Sequence, residues 1–93
     1  MDVIDNEPAS RYELHVGDEV ALLAYQKRGN VIVFTHMEVP SDLEGRGLAG
    51  QIAAKALGDA REKHLKVVPR CPYVASYIKR HPEYAELVAA DNA

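Results

Sequence analysis

Apolar and polar positions follow one another in a way that separates strand-like from helix-like stretches. Arg11 to Val16 alternates enough for a short strand, and Gly17-Asp18 supplies the turn after it. Glu19 to Tyr25 holds the run Val20-Ala21-Leu22-Leu23-Ala24-Tyr25, which reads as a central strand. Lys27-Arg28-Gly29-Asn30 is then a hairpin turn, because Gly29 and Asn30 tolerate positive φ. Val31 to Val39 is strongly strand-like. Alternation places Val31, Val33, Thr35, Met37 and Val39 on one face, and Ile32, Phe34, His36 and Glu38 on the other. Pro40 ends the donor ladder of that strand.

Beyond Pro40 the period changes. Leu48, Ile52, Ala56 and Ala60, flanked by Ala49, Ala53 and Leu57, predict a helix over 47–64 whose alanines let it lie close to a sheet. Gly58 weakens it by up to ~1 kcal/mol relative to alanine. Leu65 to Val68 predicts a short strand closed by Pro69. Pro72 suits the first position of a second helix with Val74, Tyr77 and Ile78 as its stripe. His81-Pro82 breaks that helix, and a last short one follows with Tyr84, Leu87 and Val88 facing inward. Residues 1–10 are polar and aperiodic, which predicts a flexible lead-in, and residues 89–93 are expected to fray. Three antiparallel strands, helix, strand, helix, helix is an α+β order shading into α/β. It implies a mixed, mostly antiparallel sheet with helices packed on it.

Length and charge narrow the classes of function. Ninety-three residues make a single domain over 1–93, burying roughly 60–65% of the unfolded surface. With 47% hydrophobic and 27% charged residues the composition is that of an ordinary globular protein, and a net charge of −3 argues against a nucleic-acid partner. No apolar run reaches membrane-spanning length, so no membrane association is expected. The one cysteine, Cys71, excludes an intrachain disulfide, and the first residues lack the pattern of a signal peptide, so a cytoplasmic location is the expectation. Residues 1–45 carry nine acidic and three basic side chains, and residues 46–93 five acidic and eight basic. Either these are two solvated faces, or the later half is built to grip a small polyanion.

Gly45-Arg46-Gly47-Leu48-Ala49-Gly50 lies between the strand-like run and the long helix. Low side-chain bulk and a helix N-terminus together suit an anion. As letters the segment satisfies the dinucleotide fingerprint. That motif also wants an acid about 20 residues on, where this chain has Val68-Pro69-Arg70. The Walker A pattern fails as well, because Gln51-Ile52 stands where lysine and a hydroxyl belong. A phosphate grip and an empty helix-entry turn both remain open.

Four ordered motifs resolve this by resemblance: His36-Met37-Glu38-Val39-Pro40, Leu43 through Ala49, Cys71-Pro72-Tyr73-Val74 and His81-Pro82-Glu83-Tyr84. They resemble the small single-domain proteins of the GNAT superfamily of acetyl-CoA-dependent N-acetyltransferases. Glu44 stands where that superfamily's motif A has Gln or Arg, Gly47 where it requires glycine, and Ala49 where it has Gly or Ala. The resemblance implies a minimal GNAT-like fold and acetyl-CoA as cofactor, with acetyl transfer to an unidentified amine by a monomer or weak dimer. Glu44, Gly45, Arg46, Gly47, Leu48, Ala49 and Gly50 would meet the CoA pyrophosphate, and the backbone of Met37 and Val39 the pantetheine arm.

Acetyl transfer from a thioester to an amine needs a base, a polarised carbonyl and a proton donor for the thiolate. His36 and Glu38 are the candidate bases, with Cα atoms ~6.5–7 Å apart on one strand face. Cys71, before the first turn of the second helix, is a nucleophile, a wall of the site, or an inert buried thiol. Tyr73 and Tyr77 line the thioester end or pack. Arg46, Lys55 and Lys79 meet phosphates or are solvated charge. The four histidines and Cys71 show no metal-ligand spacing, so no metal is expected. Two rivals stand beside the enzyme: a CoA-binding module without turnover, and an interaction domain that keeps only the fold.

Overall fold

A computed structural model describes residues 2–89. One five-stranded sheet runs in chain order: β1 (Val3–Asn6), β2 (Arg11–Val16), β3 (Glu19–Arg28), β4 (Val31–Glu38) and β5 (Lys66–Pro69). Neighbours are antiparallel up to β4, and β4 and β5 are parallel, joined through the 15-residue helix α1 (Leu48–Glu62). A second helix, α2 (Pro72–Arg80), follows, and a 3-10 segment, Pro82–Leu87, closes the described chain. Among the described residues no helix is long and apolar enough to cross a membrane.

The core forms where the helical stripe meets one face of the sheet. Leu48, Ile52, Ala53, Ala56, Leu57 and Ala60 of α1 are buried, as are Tyr12, Leu14, Ala21, Leu23, Ile32 and Phe34 of the sheet. Full burial of a Leu, Ile or Phe side chain contributes ~1.5–3 kcal/mol, and the alanines between them bring the helix axis close. Gly50 faces α2: a Cβ there would make ordinary contact, 3.4 Å from the Tyr73 hydroxyl and 3.9 Å from a ring carbon of Tyr77. The other face of the sheet carries Arg11, Glu13 and His15 on β2, Leu22 and Ala24 on β3, and His36 and Glu38 on β4. Among the described residues no helix covers it.

The structure corrects four expectations. Residues 3–6 are not a loose lead-in but the edge strand β1, paired with β2 from Val3↔Leu14 to Asn6↔Arg11. The Tyr25 hydroxyl donates to Asp5 Oδ1 at 2.6 Å, and the Asn6 amide donates to Glu13 Oε2 at 3.0 Å. These partners are distant in sequence, so no local period announces them. At the other end Ala89 N–H donates to Val67 O at 2.8 Å, and Val88 bridges Val67 in parallel, extending the sheet past β5. Ala89 is therefore tied rather than frayed, and residues 90–93 lie outside the described residues. Val88 is 37% exposed rather than inward-facing, whereas Leu87 is buried.

The fourth correction matters most for the site. β3 and β4 pair as Ala24↔His36 and then Tyr25↔Phe34, so Thr35 is an extra residue, a β-bulge, with its hydroxyl donating to Ala24 O at 3.2 Å. An inserted residue inverts the alternation beyond it. Ile32 and Phe34 face the core before the bulge. Past it Met37, opposite buried Leu23, faces that side, while His36 and Glu38 turn to the open face. Strict alternation had grouped Met37 with Val31, Val33 and Thr35, and the two polar residues with Ile32 and Phe34.

Candidate functional site

From the tip of β4 the chain passes Pro40, a 3-10 turn over Ser41–Leu43 anchored by buried Leu43, and then the glycine loop. Gly45 has φ +84° and Gly47 φ +77°, both left-handed, where an L side chain is strained. Gly47 is the N-cap of α1 and brings no side-chain cap. The first intrahelical bond runs from Gln51 N–H to Gly47 O at 3.2 Å. The amides of Leu48, Ala49 and Gly50 precede it and have no intrahelical acceptor. No acidic residue occupies the first turn to compete for them.

These amides belong to the wall of a cleft of about 740 Å³. Met37, Glu38 and Val39 of the strand tip form one side. Leu43, Glu44, Gly45 and Gly47 of the loop, with Leu48, Ala49 and Gly50 of the first turn, form the other, and Tyr73 of α2 closes it. The sequence brought most of this set together. Leu43 opens the motif that runs to Ala49, but the expected cofactor contacts began only at Glu44.

Four expected residues stand elsewhere. Arg46 is exposed and lines no part of the cleft. Tyr77 is 9% exposed and stacks on His81 with centroids 3.9 Å apart, and its burial raises the phenol pKa. Cys71 is 2% exposed, caps α2 and donates its backbone N–H to Phe34 O at 2.9 Å. His36 stands on the open face, its Nε2 2.9 Å from Glu38 Oε2, with the two side chains 55% and 62% exposed. Glu38 thus belongs to both the cleft wall and the open face.

The charge of the cleft departs from expectation. Glu38 and Glu44 line it and no Lys or Arg does, so the excess of basic residues after position 45 does not appear there. Beside the loop, a hydrogen bond with Asp42 raises the Glu19 carboxyl pKa, burial adds to this, and Arg46 opposes it. Among the described residues no group of three or more His, Cys, Asp or Glu converges as metal ligands.

Comparison with known proteins bears on the family and the fold. The profile of the GCN5-related N-acetyl-transferase family matches residues 11–87. Protein NATD1 of Gallus gallus and of Mus musculus are each 40% identical over 63 residues, which is 67% of this chain and 57% of theirs. Protein NATD1 of Danio rerio is 32% identical over 78 residues, 81% of this chain and 71% of that one. The matched part thus spans a little over half the length of the first of these relatives. The solution structure of a GCN5-like protein from Staphylococcus aureus superposes with a TM-score of 0.74 at 18% identity, covering 96% of this chain and 88% of that one. That likeness fixes the mixed sheet with its packed helices.

Proposed function

The chain belongs to the GCN5-related N-acetyltransferase family, and from that premise we propose that it transfers an acetyl group from acetyl-CoA to an amine. The observation that carries this is the cleft between the tip of β4 and the N-terminus of α1. Its residues fit the cofactor. Left-handed Gly45 and Gly47 shape the turn into α1, whose first-turn amides at Leu48, Ala49 and Gly50 lack intrahelical acceptors, as an anion site requires. The volume of about 740 Å³ lies within the ~300–1,000 Å³ usual for small-molecule sites. When bound, acetyl-CoA supplies a thioester as acetyl donor.

The chain's own groups supply the rest. With Nε2–H of His36 donated to Glu38 Oε2, Nδ1 keeps a free lone pair that takes a proton from an incoming ammonium. A base so placed contributes ~10²–10⁴-fold. Tyr73, on the cleft wall, is the donor for the thiolate. The nitrogen–carbonyl bond formed replaces the sulfur–carbonyl bond broken. Of the two protons the ammonium loses, one passes through His36–Glu38 to solvent and one ends on sulfur. Buried Cys71 does not line the cleft, which favours direct transfer over an acetyl-cysteine.

The test is incubation with labelled acetyl-CoA and an amine panel, beside chemical-shift mapping of the Gly45–Gly50 amides with CoA. Label in an amine, lost in Glu38→Gln and kept in Cys71→Ala, is the expected result. Shifted loop amides without transfer to any amine would support the second reading, a CoA-binding module. The cleft beside the glycine loop favours that reading over a scaffold role.

A further inference from the structure

We propose that the cavity at the far end of α1, away from the glycine loop, is a second binding site, built for a small carboxylate with an apolar body. It opens between the last turn of α1, the start of β5 and the 3-10 segment Pro82–Leu87, with a volume of about 390 Å³. Arg61, His64, Leu65, Lys66, Glu86 and Leu87 line it. A helix of 15 residues is ~22 Å long, so this cavity and the cleft at Gly47 stand at opposite ends of α1.

The helix end supplies the first observation. Leu65 N–H donates to Ala60 O at 2.8 Å and His64 N–H to Arg61 O at 3.2 Å. These are the paired bonds of a Schellman turn, and they place His64 at its left-handed position, with φ +57°. Glycine is the usual residue there, because an L side chain is strained. A histidine held in that conformation lowers the stability of the fold, and such strain gathers where a ligand is clamped. The turn brings the imidazole to the wall that Arg61 and Lys66 share.

The two fixed cations are oriented without being neutralised. Arg61 lies over the Tyr84 ring, 5.1 Å from its centroid, and one of its amino groups donates to Glu83 O. Lys66 Nζ donates to Glu86 O at 3.2 Å. These acceptors are main-chain carbonyls, which aim a donor but carry no full charge. Lys55 and Lys63, by contrast, have the carboxylates of Asp59 and Asp5 at 3.1 and 3.8 Å. Among the described residues Lys66 pairs with no carboxylate, and Arg61 meets only Glu86, 4.0 Å away on a side chain 77% exposed. Each cation keeps N–H donors to spare.

Those groups set the class of ligand. Arg61 and Lys66 against Glu86 leave one net positive charge, and Glu62, Lys63 and Glu83 line no part of the wall. A monoanion therefore balances the site. A dianion would overload it, and the negative end of the α1 dipole weighs against one too. The planar guanidinium fork matches a carboxylate, with an imidazole N–H beside it. Buried Leu87 and half-buried Leu65 offer a floor for carbon, in a volume at the lower end of the ~300–1,000 Å³ usual for small ligands.

The test titrates labelled full-length protein with sodium benzoate, followed by amide chemical shifts, beside inorganic phosphate at matched ionic strength. Benzoate should shift the amides of Arg61–Lys66 and Glu86–Leu87 and saturate with a Kd on the order of 1 mM, about fivefold or more tighter than phosphate. Arg61→Gln and Lys66→Gln, each checked as folded by circular dichroism, should weaken benzoate about tenfold. His64→Gly should weaken it as well while raising Tm by ~4 °C or more, since the strain leaves with the side chain. Amides unmoved by benzoate, shifts retained in both glutamine variants, or phosphate as the tighter ligand would each overturn the site. So would His64→Gly with no gain in Tm, because position 64 would then serve the fold.

Discussion

Gly47 and Gly58 belong to one helix, and replacing each by alanine should move stability in opposite directions. A Cβ added at either position meets nothing within 4 Å, so neither substitution creates a clash. The difference is in the backbone. Gly47 sits at φ +77°, whereas Gly58 lies inside α1 with no left-handed φ. An L residue in the left-handed region costs ~1–2 kcal/mol. Restricting the unfolded chain returns ~0.4–1 kcal/mol of that. Gly47→Ala should therefore destabilise by about 1 kcal/mol. Gly58→Ala keeps a compatible conformation and should stabilise by ~0.5–1 kcal/mol. The two variants then differ by ~1.5–2 kcal/mol, and each kcal/mol moves Tm by ~4–8 °C in a domain of this size. Urea unfolding followed by circular dichroism, with an unchanged slope, measures it. Gly47→Asn should fall between wild type and Gly47→Ala, because asparagine tolerates the left-handed region. Equal midpoints for Gly47→Ala and Gly58→Ala would refute the reasoning, since the N-cap would then not need its conformation. CoA affinity should separate the pair too, weakening only in Gly47→Ala, where the turn aims the amides.

Hydrogen bonds from Arg11, Asn6 and His15 hold the Glu13 carboxyl at about 2, below its ordinary 4.5. A pKa lowered by folding stabilises above the unfolded value, so the contribution is complete above about pH 4.5 and disappears as pH falls towards 2. Discounted for half-exposed Arg11 and His15, it amounts to ~1–2 kcal/mol. Acid unfolding of Glu13→Gln should accordingly lose less stability across that interval. Glu44→Gln removes a carboxylate from the cleft wall and should tighten CoA binding ~2–5-fold at low salt, read by calorimetry. Cys71→Ala should cost stability but leave turnover within about twofold, because the thiol is buried away from the cleft; a collapse of kcat in a folded variant would reinstate it as nucleophile.

Much of this architecture is written locally. The turns at Gly17-Asp18 and Gly29-Asn30, the stripe from Leu48 to Ala60 and the proline that opens α2 are short-range signals, and the elements stand where those signals put them. The glycine loop was legible for the same reason, since left-handed φ and helix entry both leave a mark in residue type. β1 was not. Its four residues are held by Asp5 meeting Tyr25 and Asn6 meeting Glu13, and nothing within Val3–Asn6 says so. The bulge at Thr35 was equally hidden: it exists only as a mismatch between two strands, and threonine is at home in a regular strand. Yet it decides which way His36 and Glu38 point.

The acidic lining of the cleft has a consequence for how the cofactor would be held. Without a Lys or Arg on the wall, a diphosphate gains there only from main-chain amides and the helix dipole, equivalent to about half a positive charge that fades within one turn. Such a grip is directional, so it depends on Gly45 and Gly47 keeping their conformation more than on any countercharge. The two lining acids then divide in role. Glu38 is tied to His36 and, in the proposed reaction, would take part in proton transfer from its place at the boundary between the cleft and the open face. Glu44 has no such partner among the described residues and stands beside the amides. Its repulsion would oppose any phosphate in the cleft, that of acetyl-CoA and that of spent CoA alike. A weak, backbone-made hold suits an enzyme that must release a cofactor still carrying the same diphosphate after each turnover, because uniform affinity for that group adds nothing to the chemical step.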